Sequence, residues 1–582
     1  MRNAKIVCTL GPASDDRETI RAMAEAGMSV ARLNASHGTP EDRAAVIDAV
    51  KEVDQRISKP LATMVDLQGP EIRTAPLDDP VELEADSEIH FVEGQETTSE
   101  TIGLSYPITR VEPGDRVLLD DGRIETTVQR VDDEGVLARV ENGGKLGGRK
   151  GVNVPGVELD LGVPTEKDRV DLELAVEKNA DFVAASFVRD AEDVYRVGEA
   201  IEELGGEIPI VAKIERAGAV ENLDEIVKAA YGVMVARGDL GVECPMEDVP
   251  MIQKRIIRKC RNAGSPVITA TEMLDSMVHA RRPTRAEASD VANAVLDGTD
   301  AVMLSGETAV GDHPVRVVET MDRIVREVEN SDEYEELREQ RVPVASESRT
   351  EALARSARYL ARDIGAKAVV AASESGYTVH KITKFRPPVP VVASTPDDTV
   401  RRQLALVWGV APQYAPFTDE GATAVVENTV QAALDAGVAD SGDTVVVLSG
   451  MMTELEEATT TNMLKVHVAA DALTSGRSVV PGRVSGPVAH SDDGDLSGAP
   501  EGAVLVLPPE FDDEFEGEIE KLAGIVDASP GMTGYPAMVA RELEIPMISD
   551  ATLDAARGTE ITLDAERGVV YEGDVLAGRN RE

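Results

Sequence analysis

One pattern recurs eight times between residues 4 and 308 of the chain. A short apolar run, rich in β-branched residues, ends in polar residues and is followed by a helix-period segment such as RETIRAMAEAG or VPMIQKRIIRKCRNAG. The eight runs are AKIVCTLG, SVARLNASHG, LATMVDLQG, DFVAASFV, IPIVAKIE, GVMVARGDLG, SPVITATEM and DAVMLSGET. Strands alternating with helices in this number predict a parallel (β/α)8 TIM barrel, an α/β fold whose active site lies at the C-terminal ends of the strands.

The barrel pattern is interrupted from residue 75 to 157. Here short strands alternate with the turns EPGD, DDGR and ENGG, and no helix-period pattern is present. This texture predicts a small all-β domain, a small β-barrel inserted in a barrel loop, which can act as a lid. The barrel itself is therefore expected to comprise residues 1–74 and 158–330.

The rest of the chain predicts two further units. The runs AKAVVAAS, VPVVAST, DTVVVLSG and MLKVHVA alternate with helices and indicate an α/β domain over residues 331–470. The stretch ALTSGRSVVPGRVSG is interpreted as a linker because it is rich in glycine, serine and proline. Residues 474–582, with a strand at GAVLVLPP and a helix at PAMVARELE, are expected to form an extra C-terminal domain.

Charge limits the partners that the chain can have. Its net charge is −48 and is spread along the whole sequence, while the apolar fraction of 42% is ordinary for a globular protein. Nucleic acid is excluded as a partner because polyanion binding needs clustered lysine and arginine. Such an acidic surface is tolerated where concentrated salt screens its self-repulsion, so we hypothesise a halophilic cytoplasm.

Neither export nor a membrane is predicted. The N-terminal MRNAKIVCTLG lacks the apolar core of a signal peptide, and no run approaches the roughly 20 apolar residues of a membrane span. We therefore expect a cytoplasmic chain without a membrane partner. The cysteines Cys8, Cys244 and Cys260 have no CxxC spacing, which disfavours disulfides and zinc and favours buried thiols.

The ends of the eight predicted strands are unusually polar. Any one of these polar triplets, such as KIE or RGD, would by itself be an ordinary solvated surface segment. Convergence of so many on one barrel rim instead indicates a functional site. The polar residues at these ends are Arg32, Asn34, Ser36, Asp66, Ser186, Lys213, Glu215, Asp239, Thr271, Ser305 and Glu307.

Three of these residues suggest a specific chemistry. Glu215 and Asp239 follow adjacent strands, so their carboxylates could hold a hard divalent cation together with water or substrate oxygens. Lys213 precedes Glu215 by two residues and so shares its face of the strand. A lysine beside a metal suits phosphoryl transfer. A Schiff-base amine or a plain ion-pair partner of Glu215 remain alternatives, although nearby carboxylates would keep the amine charged.

The chain contains no GxxxxGK[ST] sequence and no GxGxxG after a strand, so P-loop and dinucleotide-binding folds have no support. In order and spacing, its motifs do resemble the pyruvate kinase family over residues 1 to about 320, and the following α/β region looks like that family's C-terminal domain. The motifs are AKIVCTLGPAS, VARLNASHG, VDLQGPEIR, GGRKGVNVPG, AASFV, VAKIE, MVARGDLG, TATEMLDSM and MLSGETAVG.

The resemblance implies transfer of a phosphoryl group from phosphoenolpyruvate to ADP, giving pyruvate and ATP, the final step of glycolysis. It implies catalytic roles for Arg32, Lys213 and Thr271, with Gly238 and Asp239 completing the substrate site. It places Mg²⁺ or Mn²⁺ on Glu215 and Asp239, and K⁺ on Asn34, Ser36, Asp66 and Leu67. It assigns the nucleotide to Asn34, Ser36, His37, Arg73 and Lys150. Ser305 and Glu307 become candidates for a proton relay, and the expected assembly is a homotetramer.

Potassium use is one point on which the sequence departs from a uniform family pattern. In the resembling family, Glu71 usually accompanies potassium dependence, whereas Leu67 and Gln68 usually accompany independence with lysine at the position of Glu71. The sequence VDLQGPEIRT is therefore mixed. We expect potassium use because Glu71 leaves a negative site without a compensating lysine.

The C-terminal half departs from the family pattern twice. SESGYT, with Ser373, Ser375, Gly376 and Thr378, resembles a phosphate-binding effector loop, although a simple strand-to-helix turn is an equal alternative. The later SGMMTELEEATTTN is acidic, which predicts no activation by fructose 1,6-bisphosphate. SPGMTGYPAMVARELEIPMIS resembles the mobile domain of phosphoenolpyruvate-utilising enzymes, but Tyr535 stands where that pattern has the phosphorylated histidine. We therefore expect a structural or regulatory domain.

Three other functions fit the sequence less well than this one. A dikinase-like phosphotransfer relay would need a reactive histidine, and His490 lies outside the matching motif. A non-catalytic regulator would be expected to have lost a metal carboxylate or Lys213, and both are present. An adhesive Arg237-Gly238-Asp239 loop would require secretion, for which no export signal is seen.

Overall fold

The structure is a computed structural model that describes residues 2–120, 122–132, 135–157, 162–416, 422–449, 461–470, 472–509 and 511–576. It divides into two compact units. The first unit comprises Met1–Ser346, Glu374–Arg386 and Asp397–Pro412, and the second comprises Glu347–Ser373, Pro387–Pro396 and Gln413–Glu582.

Eight parallel strands close the barrel of the first unit. In chain order the first to eighth barrel strands are Lys5–Thr9, Val30–Asn34, Ala62–Asp66, Phe182–Ala185, Ile210–Ile214, Gly232–Ala236, Val267–Ala270 and Ala301–Leu304. Closure occurs between the first and eighth strands, where Lys5 lies opposite Ala301. The (β/α)8 fold class predicted from the eight runs is confirmed.

Packing inside the barrel follows from the apolar centres of the runs. Buried side chains from all eight strands, among them Val30, Met64, Phe182 and Ile268, fill the interior. The opposite faces of the strands pack against the surrounding helices. The polar residues lie past this packed core, at the strand ends.

The helices of the first unit begin where the sequence supplies capping residues. Thr39, Thr165 and Thr284 each form a capping box with the acidic residue three positions later. The helices are Arg17–Ala26, Pro40–Asp54, Glu166–Glu177, Ala191–Glu203, Ala217–Glu221, Leu223–Ala229, Arg237–Glu243, Val249–Ala263, Arg285–Asp297, Gly306–Ala309, Pro314–Glu329, Asp332–Gln340, Tyr377–Lys384 and Asp398–Gln403, with 3₁₀ turns at Asp275–Val278 and Leu404–Leu406.

The insert after the third barrel strand is all-β, as predicted. One sheet contains, in spatial order, Ile72–Arg73, Gly151–Asn153, Arg116–Leu119, Ile124–Asp132, Gly135–Asn142, Glu88–Glu93 and Thr101–Leu104. Val81–Leu83 and Gly144–Leu146 form a separate two-stranded ladder. The two crossings between the barrel and the insert pair with each other, since Arg73 lies opposite Gly151. We keep the exact domain boundaries as a prediction.

The second unit contains a sheet in the order Val391–Thr395, Ala368–Ala372, Thr444–Ser449 and Met463–Val468, with the helices Arg349–Asp363 and Ala422–Asp435. A further strand, Val410–Tyr414, runs across the division between the two units. Ala368–Ala372 pairs in parallel with both Val391–Thr395 and Thr444–Ser449, whereas Met463–Val468 pairs antiparallel with Thr444–Ser449. This arrangement agrees with the α/β class expected for this region.

The last domain contains a mixed sheet. Its spatial order is Ala472–Ser475, Val569–Glu572, Glu560–Asp564, Arg483–His490, Ala503–Leu507, Leu522–Asp527, Met547–Ser549 and Arg477–Val480. A helix at Tyr535–Glu542 and a 3₁₀ turn at Ile519–Lys521 accompany the sheet.

The linker interpretation of ALTSGRSVVPGRVSG is wrong. This stretch forms two short strands and the first half of a third, paired with the segments at 547–549, 560–564 and 569–572. Its glycines mark turns between short strands instead of a free connection. Gly482 has φ +149° and lies in the turn before Arg483–His490, a backbone conformation that favours glycine.

Two smaller expectations concern thiols and membranes. All three cysteines are free, and Cys8 and Cys260 are buried, where burial raises the pKa of both thiols. In the part of the chain that the structure describes, no helix is both long and apolar enough to cross a membrane.

Candidate active site

Lys213 lies at the centre of the polar strand ends. Its Nζ donates to Ser186 Oγ at 2.7 Å and lies 2.8 Å from Glu215 Oε1 and 3.3 Å from Asp66 Oδ1. Burial acts to lower the pKa of Lys213, but Asp66 and Glu215 outweigh it and raise the pKa above its usual value. The amine is therefore charged, which favours an electrostatic role over a Schiff base.

Arg32 completes the cationic side of this cluster. Its Nε donates to Asp66 Oδ2 at 2.5 Å and its Nη1 to Thr9 Oγ1 at 2.7 Å. Burial acts to raise the pKa of Asp66, yet Arg32 and Lys213 together hold this pKa below its usual value. The buried carboxylate of Asp66 thus orients two cations toward the same strand ends.

Glu215 is held from two sides. Its Oε1 faces Lys213, and its Oε2 accepts a hydrogen bond from Phe187 N at 2.5 Å. The residue is 1% exposed. Phe187 adopts a left-handed conformation, with φ 57°, that turns its amide toward this carboxylate. The position of Glu215 is therefore determined by the neighbouring strand end as well as by its own strand.

Asp239 follows the sixth barrel strand, which pairs with the strand that precedes Glu215, with Ile214 opposite Val235. It is the third residue of the helix Arg237–Glu243. Asp239 lines a cleft between the barrel and the insert, whose walls include Pro70, Glu71, Ile72, Gly151, Val152, Asn153, Val154, Phe187, Arg216 and Glu243. It also contributes to the raised pKa of Lys213.

The donor chemistry of Glu215 and Asp239 fits a hard divalent cation, because both offer anionic oxygens and no soft atom is involved. Among the residues that the structure describes, no group of three or more histidine, cysteine, aspartate or glutamate side chains is arranged to hold a metal. A cation on this pair would therefore need further oxygens from water or substrate, as expected for Mg²⁺ at phosphate-handling sites.

Thr271 lies in a strained turn after the seventh barrel strand. Its φ is 75° and that of Glu272 is 53°, so two consecutive non-glycine residues are left-handed. A β-branched residue in this region costs about 1–3 kcal/mol and is held only when the surroundings determine it. A Cβ added at Gly238 would lie 2.8 Å from Thr271 Cγ2. Glycine at 238 is therefore required for this approach.

The oxygens expected to bind K⁺ lie on the second and third strand ends. Asn34 Oδ1 accepts a hydrogen bond from Ser36 N at 3.0 Å, and the Leu67 carbonyl accepts one from Ser186 Oγ at 2.7 Å. With Asp66, these groups supply the hard oxygens that a monovalent cation prefers. His37 follows in the same turn and is exposed.

The structure changes one argument about potassium. Glu71 Oε2 accepts hydrogen bonds from Arg73 at 3.0 Å (Nε) and 2.8 Å (Nη2), so Arg73 offsets the negative charge that was expected to be uncompensated. Arg73 also donates to the carbonyl of Arg149 at 2.9 Å. A potassium site would therefore rest on the oxygens at Asn34, Ser36, Asp66 and Leu67, without help from Glu71.

Lys150 lies near Arg73 in the ladder that joins insert and barrel. The carbonyl of Lys150 accepts a hydrogen bond from Thr74 N at 2.8 Å, and its Nζ forms an ion pair with Asp120 Oδ1 at 2.8 Å. Its side chain is 39% exposed. Two of the five residues expected to contact the nucleotide, Arg73 and Lys150, thus lie at the base of the insert, beside the cleft that contains Asp239.

Glu307 occupies a structural position. The residue is 1% exposed, its Oε1 accepts from Leu274 N at 3.0 Å, and its Oε2 accepts from Ser305 N at 2.6 Å. Burial raises the pKa of this carboxyl group. Both oxygens thus connect the loops after the seventh and eighth strands. The proton-relay roles of Ser305 and Glu307 stay predictions.

Two stretches belong to the predicted effector site, SESGYT at 373–378 and the later SGMMTELEEATTTN. Ser373 N donates to the carbonyl of Ser394, and Gly376, with φ 77°, caps the helix Tyr377–Lys384, in which Thr378 is buried. Ser375 is exposed. This geometry agrees with a strand-to-helix turn and does not test phosphate binding. Nearly all of the acidic SGMMTELEEATTTN stretch lies outside the described residues.

Tyr535 has a packing role in the last domain. Its ring lies 5.3 Å from that of Phe515, and its hydroxyl accepts a hydrogen bond from Phe515 N at 3.3 Å. Phe511 stacks on Phe515 at 5.6 Å. Position 535 thus anchors the segment at 511–516, which agrees with a structural role. His490 bonds the carbonyl of Ala555 at 2.7 Å, outside this cluster.

Two residues that line the cleft, Arg216 and Glu243, are not among those predicted from the sequence. Arg216 and Glu243 line it with Asp239, and the Arg216 guanidinium lies 5.3 Å from the centre of the Phe187 ring. Burial raises the pKa of Glu243. Arg216 directly follows Glu215 in the sequence, so its position near the site could have been predicted. The sequence gives no such signal for Glu243, because the helix after the sixth strand brings it to the cleft.

Fold and site together define a (β/α)8-barrel enzyme that acts on anionic substrates. Family models match three parts of the chain: the pyruvate kinase barrel domain at residues 1–318, the pyruvate kinase alpha/beta domain at 351–467, and the mobile domain of PEP-utilising enzymes at 499–568. The chain belongs to the pyruvate kinase family.

Curated relatives match along nearly the whole length. The chain is 41% identical to a pyruvate kinase of Staphylococcus epidermidis over 589 aligned residues, covering 98% of this chain and 99% of the relative. It is 40% identical to a pyruvate kinase of Staphylococcus aureus over 586 residues, with the same coverage. The similarity therefore includes the extra C-terminal domain.

Proposed function

We propose that the chain transfers the phosphoryl group of phosphoenolpyruvate to ADP, giving ATP and pyruvate in the last step of glycolysis. The observation that carries this proposal is the charged Lys213 ammonium, enclosed by Asp66, Ser186 and Glu215 at the strand ends. Phosphoryl transfer depends mainly on positioning and on neutralising charge, and this cluster can supply both.

Lys213 and Arg32 provide the fixed positive charge. The phosphate of phosphoenolpyruvate would lie against Lys213 Nζ and the Arg32 guanidinium. As the phosphoryl group leaves the enolate oxygen, Lys213 stabilises the charge that spreads over the phosphoryl oxygens. Since Asp66 already orients both cations, little rearrangement is needed at the moment of transfer.

Glu215 and Asp239 would hold Mg²⁺ or Mn²⁺. When bound, such a cation supplies further neutralisation of phosphate charge. The chain's own contribution is to fix the position of the Glu215 carboxylate, which Phe187 N and Lys213 contact. The amide of Gly238 and the hydroxyl of Thr271 would orient the substrate carboxylate.

Thr271 Oγ1 would lie near the path by which a proton reaches the enolate carbon. Ser305 and Glu307 are the proposed further members of this path. Arg73 and Lys150, with Asn34, Ser36 and His37, would contact ADP. Because the insert carries Lys150, its approach to the barrel would both bind the nucleotide and exclude water.

We further propose that the enzyme uses K⁺, held by Asn34, Ser36, Asp66 and Leu67. Replacement of KCl by tetramethylammonium chloride at equal ionic strength is expected to lower kcat on the order of tenfold, about 1.4 kcal/mol in the barrier. Steady-state assays in the two salts measure this. Matched ionic strength separates a bound cation from general screening, and equal kcat in both salts would refute the proposal.

Stability is expected to depend on salt because the chain carries a net charge of −48. At roughly 1 M salt the Debye length falls to about 3 Å and self-repulsion is screened. The melting temperature should rise by several degrees between dilute buffer and molar KCl, as measured by circular dichroism. NaCl serves as the control for a specific potassium effect; a flat melting curve in both salts would argue against a halophilic surface.

The remaining parts of the proposal concern assembly and regulation. A homotetramer located in the cytoplasm is proposed from the family. The extra C-terminal domain is proposed to be structural or regulatory, in keeping with the packed Tyr535 side chain. For the loop around Ser373, Ser375, Gly376 and Thr378, two alternatives are proposed: a site for a monophosphate effector, or a simple strand-to-helix turn.

A coupled assay tests the central proposal. Purified chain is mixed with phosphoenolpyruvate, ADP, KCl and Mg²⁺, and pyruvate is followed with lactate dehydrogenase and NADH. Pyruvate formation that requires both ADP and Mg²⁺ is the expected result. Pyruvate formed without ADP would indicate a phosphatase instead, and an inactive chain at all salt concentrations would refute the function.

A further inference from the structure

Arg237 is the member of Arg237-Gly238-Asp239 that the proposed chemistry leaves unused. Its side chain is only 14% exposed and points into the barrel rim, unlike an adhesive loop. Nε donates to the carbonyl of Ala270 at 3.0 Å, and Nη2 donates to the carbonyl of Thr271 at 2.6 Å. Arg237 thus connects the end of the sixth barrel strand to the turn after the seventh.

The outer side of the guanidinium is also held. Nη1 donates to Asp290 Oδ1 at 2.7 Å, and Nη2 lies 2.8 Å from Met273 Sδ. A guanidinium is planar, permanently charged and able to donate in several directions at once. A lysine ammonium could not reproduce two parallel bonds to successive carbonyls together with the anchor at Asp290.

The turn that Arg237 contacts needs such support. Thr271 and Glu272 are both left-handed, at φ 75° and 53°, a conformation that side chains of this kind rarely adopt without outside contacts. The two carbonyls that accept from Arg237 belong to Thr271 and to the residue before it. Gly238, which follows Arg237 in the chain, has no side chain and so leaves the space that the Thr271 methyl group occupies.

We propose that Arg237 is a positioning residue for the reaction, which acts by holding the Thr271 turn and so directing the Thr271 hydroxyl to the substrate. The inference rests on the proposed function, since Thr271 matters only if phosphoenolpyruvate binds beside it. Arg237 itself touches neither substrate nor metal in this scheme. Its effect passes through Thr271, and this dependence can be measured.

Arg237→Met is expected to lower kcat on the order of 10²-fold, the usual effect of a group misplaced by about 1 Å. KM for phosphoenolpyruvate should rise severalfold because Thr271 contacts its carboxylate. KM for ADP should stay within about twofold, because the nucleotide binds elsewhere. A general loss of structure would not separate the two substrates in this way.

A double-mutant cycle with Thr271→Ala tests the dependence. If Arg237 acts through Thr271, Arg237→Met should change kcat by less than about threefold in the Thr271→Ala background. Arg258→Met, on an exposed face of the helix Val249–Ala263, is the matched control and should match wild type. Independent, multiplying effects of the two substitutions would overturn the proposal.

Asp290→Asn provides a second variant in case Arg237→Met does not fold. It keeps Arg237 and weakens only the outer anchor, so kcat should fall severalfold while KM for ADP is unchanged. Unchanged kcat in folded Arg237→Met, or in Asp290→Asn if the former fails to fold, overturns the inference. An inactive wild type assayed alongside would instead refute the proposed function and the inference with it.

Discussion

Lys213→Met is expected to lower kcat by at least about 10³-fold in the coupled pyruvate assay. Removal of one preorganised donor to developing charge typically costs 10²- to 10³-fold. Lys213 should exceed that range because it supplies a full positive charge within 3.3 Å of two buried carboxylates. Methionine keeps much of the apolar length of the side chain, so the loss reports mainly on the ammonium group.

The substitution also changes the groups around Lys213. Asp66 keeps Arg32 as a partner at 2.5 Å, and Glu215 keeps the Phe187 amide. The fold should therefore remain, with the melting temperature within several degrees of wild type by circular dichroism. Binding of Mn²⁺, measured by isothermal titration, should persist because Glu215 and Asp239 are intact.

Lys259→Met is the matched control for this variant. Lys259 forms an ion pair with Asp224 on the barrel exterior and is 41% exposed. Wild-type activity is expected there. If Lys213→Met retained more than about a tenth of wild-type kcat, Lys213 could not be the group that stabilises the transferring phosphoryl oxygens.

The second large effect is expected for Glu215→Gln. The amide is isosteric and can still accept from Phe187 N, but it loses the negative charge that faces Lys213. Loss of supporting groups at metal sites typically costs 10- to 100-fold in affinity, and loss of a ligand should reach the upper end. Mn²⁺ affinity and kcat/KM for phosphoenolpyruvate should both fall by about 100-fold.

Raising the metal concentration distinguishes loss of a metal ligand from a general disruption of the site. If Glu215 acts as a ligand, excess Mn²⁺ should restore part of kcat, and Asp239→Asn should behave in the same way. Glu202→Gln, exposed on the helix Ala191–Glu203, should be indistinguishable from wild type. Unchanged Mn²⁺ affinity in both site variants would remove these carboxylates from the metal site.

Much of the fold was predictable because barrel formation depends on repeated local patterns. Eight apolar runs with polar ends predicted eight parallel strands, and their alternation predicted that Lys213 and Glu215 share a face. The linker interpretation failed because the local patterns in that stretch are weak. Ala472–Ser475 and Arg477–Val480 are short strands with weak patterns, and pairing with distant segments decides their conformation.

The sequence predicts which site residues lie at the ends of neighbouring strands. It does not predict the contacts that depend on the conformation of the loops after those strands. The pairing of Arg73 with Glu71 removes an argument for potassium that looked sound from the residues alone. Phe187 donates to Glu215 only because its backbone is left-handed, a state that the sequence AASFV does not indicate.

Arg237-Gly238-Asp239 shows most clearly which properties follow from the sequence and which depend on the tertiary structure. The sequence by itself placed the tripeptide at the C-terminal end of the sixth barrel strand, because strand periodicity and barrel order are local properties repeated eight times; in the structure the strand ends at Ala236 and the tripeptide begins the helix Arg237–Glu243. Only the tertiary structure decided what each residue does. Arg237 bonds two carbonyls of the next strand end, Gly238 leaves room for Thr271, and Asp239 enters the cleft. These roles depend on distances between loops that are remote in sequence, and such distances arise only when the closed barrel brings the loops together.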